Sequence, residues 1–170
     1  TILLSEILYR HTHRYGNYLM KGKPGGLKNG LLEALGGIKV ARPKDIHNLK
    51  DRAEKKARLA WAREFNRRSY SYVTWLFTQN ELVIAYPEGM FFSNRIGPIQ
   101  SGIIKHTLTV EQKHHLKIPI IPVGIAYENL HRPRSPAFFR VGAPLFTTQF
   151  ANPRQLIAEV KRQLAQLSGL

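Results

Sequence analysis

Apolar residues at Leu3, Leu4, Ile7 and Leu8 recur at helical spacing and predict a first helix to about Arg10. A short strand is expected over 17–20. Lys23-Pro24-Gly25-Gly26 then breaks the pattern, and a helix over 27–35 follows, stopped by Gly36-Gly37. Residues 38–41 alternate as a strand closed by Arg42-Pro43. From about Lys44 to Gln79 the chain is basic and reads as one long helix or two shorter ones. Residues 81–86 form an apolar strand that runs into Pro87-Glu88-Gly89, and 90–100 reads as a loop. A helix over 102–115 precedes a second apolar strand at 118–127, interrupted by Pro119 and Pro122. A short strand at 138–141 and an amphipathic helix at 153–167, with Pro153 in its first turn, complete the pattern.

Strands that alternate with helices predict an α/β fold: a single domain over 1–170 with a mainly parallel or mixed central sheet flanked by helices. No repeat, low-complexity tract or linker interrupts it. The 170 residues, 43% hydrophobic and 22% charged, are enough for one globular core. The chain has no cysteine, which removes disulfides, thiolate metal sites and a thiol nucleophile. No apolar run reaches the roughly 18 residues of a membrane-spanning helix. The first residues lack both an initiator Met and the pattern of a signal peptide. They read as the inside of a domain, so the chain is expected to be a fragment or processed form.

Charge adds information about partners. Twenty-six Lys and Arg against 11 Asp and Glu leave a formal charge of +15, which points to nucleic acid, an anionic membrane surface or phosphorylated small molecules. Lys50, Arg52, Lys55, Lys56, Arg58, Arg63, Arg67 and Arg68 crowd one stretch, interleaved with Trp61, Phe65, Tyr70, Tyr72, Trp75 and Phe77. On a helix such charges are usually a solvated face. The interleaved aromatics favour a helix lying on anionic lipid, and the same surface would suit an acidic carrier protein.

Pro87-Glu88-Gly89 sits where open α/β sheets place ligands, just beyond the end of a strand, although alone it would read as a turn. It is not alone. Gly36-Gly37-Ile38-Lys39-Val40-Ala41-Arg42 precedes it. Pro98-Ile99-Gln100-Ser101-Gly102-Ile103-Ile104-Lys105 and Ile118-Pro119-Ile120-Ile121-Pro122-Val123-Gly124-Ile125 follow, and then Phe139-Arg140-Val141-Gly142-Ala143-Pro144-Leu145. In this order the blocks resemble the glycerol-3-phosphate and 1-acylglycerol-3-phosphate (lysophospholipid) acyltransferase family, over roughly 1–148. The resemblance implies a glycerolipid acyltransferase-like fold. It also implies acyl transfer from acyl-CoA or acyl carrier protein to a hydroxyl of a glycerol phosphate or lysophospholipid, foremost 1-acylglycerol-3-phosphate, giving phosphatidate.

The resemblance also assigns residues. Arg42 matches the family's Arg after the Val strand, where a planar guanidinium suits bidentate phosphate binding; a solvated Arg is the alternative. Glu88 and Gly89 match the Pro-Glu-Gly block. Met90 and Phe91 stand where the family has Thr and Arg, which leaves Arg95 as the nearest replacement cation and puts the acceptor head group in question. Gly102 matches the Gly opening the next helix, where backbone amides add to anion binding. Lys21 or Lys23 could border the donor's entrance.

The family's base, a His in a His-x4-Asp pair, is expected upstream of Thr1. His11, His13, His47, His106, His114, His115 and His131 read as solvated or packing side chains. Residues 1–170 are accordingly expected to be inactive alone and to use no cofactor and no metal. The expected partners are acyl-CoA or acyl carrier protein, a phosphorylated glycerolipid acceptor and an anionic membrane surface, with the protein cytoplasmic and peripherally attached. No nucleic acid is expected. The rivals are a basic nucleic-acid-binding module, which leaves the ordered blocks unexplained, and a catalytically inactive lipid-binding relative.

Overall fold

The computed structural model describes residues 2–22, 27–42, 46, 50–89, 95–129 and 135–170. The turn expected at Lys23–Gly26, together with Pro43, Lys44, His47, Met90, Phe91 and His131, lies outside the described residues. The chain forms two compact units, Thr1–Ala85 and Tyr86–Leu170.

In the first unit, α1 (Ile2–Thr12) leads into β1 (Gly16–Lys21), α2 (Leu27–Ala34), β2 (Gly37–Val40), α3 (Arg52–Thr78) and β3 (Leu82–Ile84). The three strands are parallel in the order β2-β1-β3, with Tyr18 level with both Gly37 and Ile84. Each connection between successive strands carries a helix, the crossover that parallel pairing requires. Gly36 lets α2 stop and β2 begin at once: its φ of +87° is one that glycine adopts without a Cβ clash.

Within the basic segment, residues 52–78 form one unbroken helix. Asp51 caps it by accepting a 2.7 Å hydrogen bond from the Glu54 N–H, and no Gly or Pro interrupts the 27 residues that follow. Its far end closes in a Schellman motif with Asn80 in the left-handed region, Asn80 N–H donating to Phe77 and Glu81 N–H to Leu76. That closure holds Glu81 outside β3, so the strand expected over 81–86 is shorter. Ala62, Val73 and Leu76 form the buried face, and α3 packs on β2 and β3.

The second unit holds α4 (Gly102–His114), the antiparallel pair β4 (Val123–Tyr127) and β5 (Ala137–Val141), a 3-10 turn (Thr147–Gln149) and α5 (Pro153–Ser168). Ile104 of α4, Leu145, and Leu156 and Val160 of α5 form its core, joined by Ile99, Ile103, Ile120, Phe150, Ile157 and Leu164. The strand expected from 118 begins only at Val123. Proline cannot donate to a ladder, and around Pro119 and Pro122 the pairing shrinks to one bridge between Ile120 and Leu145. At the end of α4, Glu111 accepts from the Ile118 N–H at 2.8 Å and the Thr147 hydroxyl at 2.6 Å, fastening the approach to β4. Among the described residues no helix is long and apolar enough to cross a membrane.

Candidate functional site

In the first unit β1 and β2 end level, with Lys21 opposite Val40, and the Gly22 N–H donates to the Val40 carbonyl at 2.9 Å. Arg42 therefore leaves the sheet at its carboxyl-terminal edge, the side on which open α/β sheets bind ligands. Helix α3 fixes this exit. The Ser69 hydroxyl donates to the Lys39 carbonyl at 2.6 Å, while Asn66 accepts from the Ala41 N–H at 2.7 Å and donates to the Ala41 carbonyl at 2.9 Å. The residue before Arg42 is thus held through both of its backbone polar groups, and Arg42 itself is half-buried.

In the second unit, Tyr86-Pro87-Glu88-Gly89 is a hydrogen-bonded turn. The Gly89 N–H donates to the Tyr86 carbonyl at 3.0 Å, with Gly89 at φ +66°. The following segment folds back onto it: the Gly97 N–H donates to the Glu88 carboxylate at 2.7 Å and the Gln100 N–H to the Pro87 carbonyl at 2.6 Å. Gly97 is buried by this fold, whereas Arg95, two residues earlier, is exposed. The segment then enters α4 through Ser101, whose side chain makes no capping bond, with Gly102 exposed in the first turn.

The folded segment therefore joins Glu88 and Gly89 to the stretch carrying Arg95 and leading to Gly102. Arg42 belongs to the other unit. Glu88 has a structural task that the sequence does not announce, since one of its oxygens closes the loop. Asn66 and Ser69 were also missed. The only signal for them is that Asn and Ser are poor helix formers, retained inside a helix when their side chains serve backbone groups elsewhere.

His106 and Glu111 are five positions apart on α4, which turns them roughly 140° from each other at 100° per residue. Both oxygens of Glu111 are already engaged, so the carboxylate serves the fold. Among the described residues no three His, Asp or Glu side chains gather as metal ligands.

Electrostatic perturbation is concentrated on helix surfaces. The Arg67 and Arg68 guanidiniums hold the Glu64 carboxyl down at about 2, and Arg162 with Gln163 does the same for Glu159. Burial pushes the Tyr70 hydroxyl up. Along α3, Trp61, Phe65, Arg68, Tyr72 and Trp75 follow 4-3-4-3 spacing, one stripe of the helix. Trp61, Tyr72 and Trp75 are 47%, 47% and 52% exposed. The rings stack in pairs, Trp61 with Phe65 at 5.0 Å and Tyr72 with Trp75 at 5.5 Å.

The described residues thus define an α/β protein with a small parallel sheet and a Pro-Glu-Gly turn closed by its own loop. Compared with known protein families, curated proteins and solved structures, the chain matches none.

Proposed function

We propose that the chain belongs to an acyltransferase acting on a glycerol phosphate or lysophospholipid, foremost 1-acylglycerol-3-phosphate. The observation that carries this reading is the turn at Pro87-Glu88-Gly89. It follows a parallel strand directly in the chain, and two hydrogen bonds fold the loop leading to α4 back onto it. The order of the surrounding sequence blocks supports the same reading, as does the exit of Arg42 at the carboxyl edge of its sheet.

In the reaction the acceptor hydroxyl attacks the thioester carbonyl of acyl-CoA or acyl carrier protein and gives its proton to a base. The tetrahedral oxyanion then collapses, the new ester forms and the thiolate leaves, taking up a proton. The proton acceptor in this reading is the His-x4-Asp pair expected ahead of the Gly36–Arg42 block. In this reading Arg42 binds the acceptor phosphate, and the resemblance names Arg95 and Gly102 of the second unit as further anion-binding positions. The exposed aromatic stripe of α3 supports peripheral attachment to an anionic membrane surface, which is where a lysolipid acceptor resides.

Substitutions at two positions test these roles in the intact protein. Arg42→Ala should raise KM for the phosphorylated acceptor about 10- to 100-fold, the scale of a lost charge-assisted contact, and leave KM for the acyl donor near its original value. Equal effects on the two would remove the phosphate-anchor role, and no acyl transfer to any glycerol phosphate or lysolipid would overturn the whole reading. Glu88→Gln keeps an oxygen for the Gly97 N–H, whereas Glu88→Ala does not. If Glu88 serves only the loop, the Gln variant retains acceptor KM and stability and the Ala variant loses about 1–3 kcal/mol in urea denaturation. A raised acceptor KM in the Gln variant instead gives the carboxylate a direct part in binding.

A further inference from the structure

The antiparallel pair of the second unit presents β5 as an outer strand. Bonds at the two ends of the pair fix the phase of its ladder: the Gly142 N–H donates to the Pro122 carbonyl at 2.9 Å and the Glu128 N–H to the Pro136 carbonyl at 3.0 Å. Bonded and non-bonded pairs alternate along such a ladder, so Gly124 with Arg140 and Ala126 with Phe138 are the bonded pairs between them. Ala137, Phe139 and Val141 therefore turn their N–H and carbonyl groups away from β4. Among the described residues no third strand lies beside β5, and Phe138 and Val141 are 51% and 64% exposed.

The side chains divide by face. Gly124 lies under Leu167, and Arg140 donates to the Leu167 carbonyl at 3.0 Å, so the even-numbered positions look toward α5. The opposite face is apolar throughout: Val123 stands across from Val141, Ile125 from Phe139 and Tyr127 from Ala137. Open edges are ordinarily blunted by charges, prolines or bulges, because they invite another strand. Over Ala137–Val141 the register is unbroken and the one charge is Arg140, whose guanidinium is drawn to the end of α5.

We propose that the open edge of β5 is a docking site for an extended acidic segment of another protein, which adds to the pair as a third strand. Its backbone bonds to Ala137, Phe139 and Val141. Its apolar side chains continue the face of Phe139 and Val141, and a carboxylate stands across from Arg140. Charge selects this occupant over a second copy of the chain. Two copies would bring two charges of +15 together along an edge of five residues, a small part of the roughly 1,600 Å² that a stable interface buries. The same +15 draws an acidic partner in. The site lies within the second unit and does not depend on the acyl-transfer reading, because binding is measured directly.

The probe is a short, labelled and capped peptide that alternates glutamate and valine, titrated into the full chain at fixed salt and followed by fluorescence anisotropy. Val141→Pro removes one N–H of the open edge and leaves the bonds to β4 in place, a position where an outer strand tolerates proline. It should weaken binding by about tenfold, with circular dichroism checking that the fold is kept. Two altered peptides ask the same of the unaltered protein, so the test survives a variant that fails to fold. An N-methylated form keeps the charge but cannot donate, and a form with lysine for each glutamate keeps the backbone but reverses the charge. Each should bind about tenfold more weakly. Undiminished binding of either form, or of the first peptide to folded Val141→Pro, would overturn the proposal, as would no binding of the glutamate–valine peptide at all. A dimer in sedimentation that Val141→Pro dissolves would assign the edge to a second copy and overturn it too.

Discussion

Replacing Gly124 with alanine is expected to cost about 3 kcal/mol, whereas the same change at Gly142, just past the end of the neighbouring strand β5, costs about 1 kcal/mol or less. Both glycines lie beneath the last turns of α5. A Cβ on Gly124 would fall 2.4 Å from the Leu167 Cβ, 2.5 Å from the Leu167 carbonyl carbon and 2.7 Å from the Ser168 nitrogen. Those atoms belong to the helix backbone or are fixed to it, so the whole end of α5 must lift from β4. At Gly142 the nearest atoms are Gln163 Oε1 at 2.9 Å and Leu167 Cδ1 at 3.0 Å, the ends of side chains that can swing aside. Trimming Leu167 to alanine should therefore fail to rescue Gly124→Ala, since the colliding Cβ and backbone remain. Urea midpoints at unchanged slope measure all three effects. Similar losses at the two glycines would mean that α5 yields as easily as a side chain.

The same contrast, between what a local pattern encodes and what packing adds, separates the legible parts of this fold from the hidden ones. Helices α2, α4 and α5 stand close to their expected limits because their signals are local: Gly36 after α2, Pro153 and the Asn152 cap opening α5. The basic segment left a choice between one helix and two. Hydropathy could not decide it, because the residues that bury α3, Ala62, Val73 and Leu76, are few and widely spaced along its length. The strand starts at Val123 and Leu82 shifted for reasons of hydrogen-bond supply, namely the prolines before β4 and the helix closure before β3. The division at Ala85 and Tyr86 carries no linker composition, since it falls at the Pro-Glu-Gly turn itself.

For the candidate site, the sequence marks residues whose type announces chemistry, such as Arg42 and Glu88. It is silent on those that hold them, because an Asn or Ser acting on a distant backbone has no spacing rule. Asn66 bonds to a residue 25 positions away and Ser69 to one 30 positions away. Only the parallel crossover from β2 through α3 to β3 brings these pairs together.

Asn66 is accordingly the position where a polar substitution should be most damaging. Ala41 is buried, and removing Asn66 leaves its N–H and carbonyl without their side-chain partner. Asn66→Ala is expected to cost about 2–4 kcal/mol, because each abandoned buried group carries its own desolvation penalty of about 1–3 kcal/mol. Asn66→Asp gives the sharper test. An ionised carboxylate can still accept from the Ala41 N–H but faces the Ala41 carbonyl oxygen without a proton between them. Protonation restores a donor and with it the two-way clamp. The folded state therefore holds this proton more tightly than the unfolded chain does, whose carboxyl titrates near the ordinary value of about 3.9. A group bound this way favours folding below its unfolded-state pKa and loses that benefit as the pH rises through its folded-state value. The stability deficit of Asn66→Asp relative to wild type should accordingly be full at pH 7 and shrink steadily toward pH 4, followed by urea denaturation of both proteins. A deficit independent of pH over that range would show that the Ala41 carbonyl does not need the Asn66 donor. In that case the exit of β2, and with it the placement of Arg42, would be set by the sheet alone.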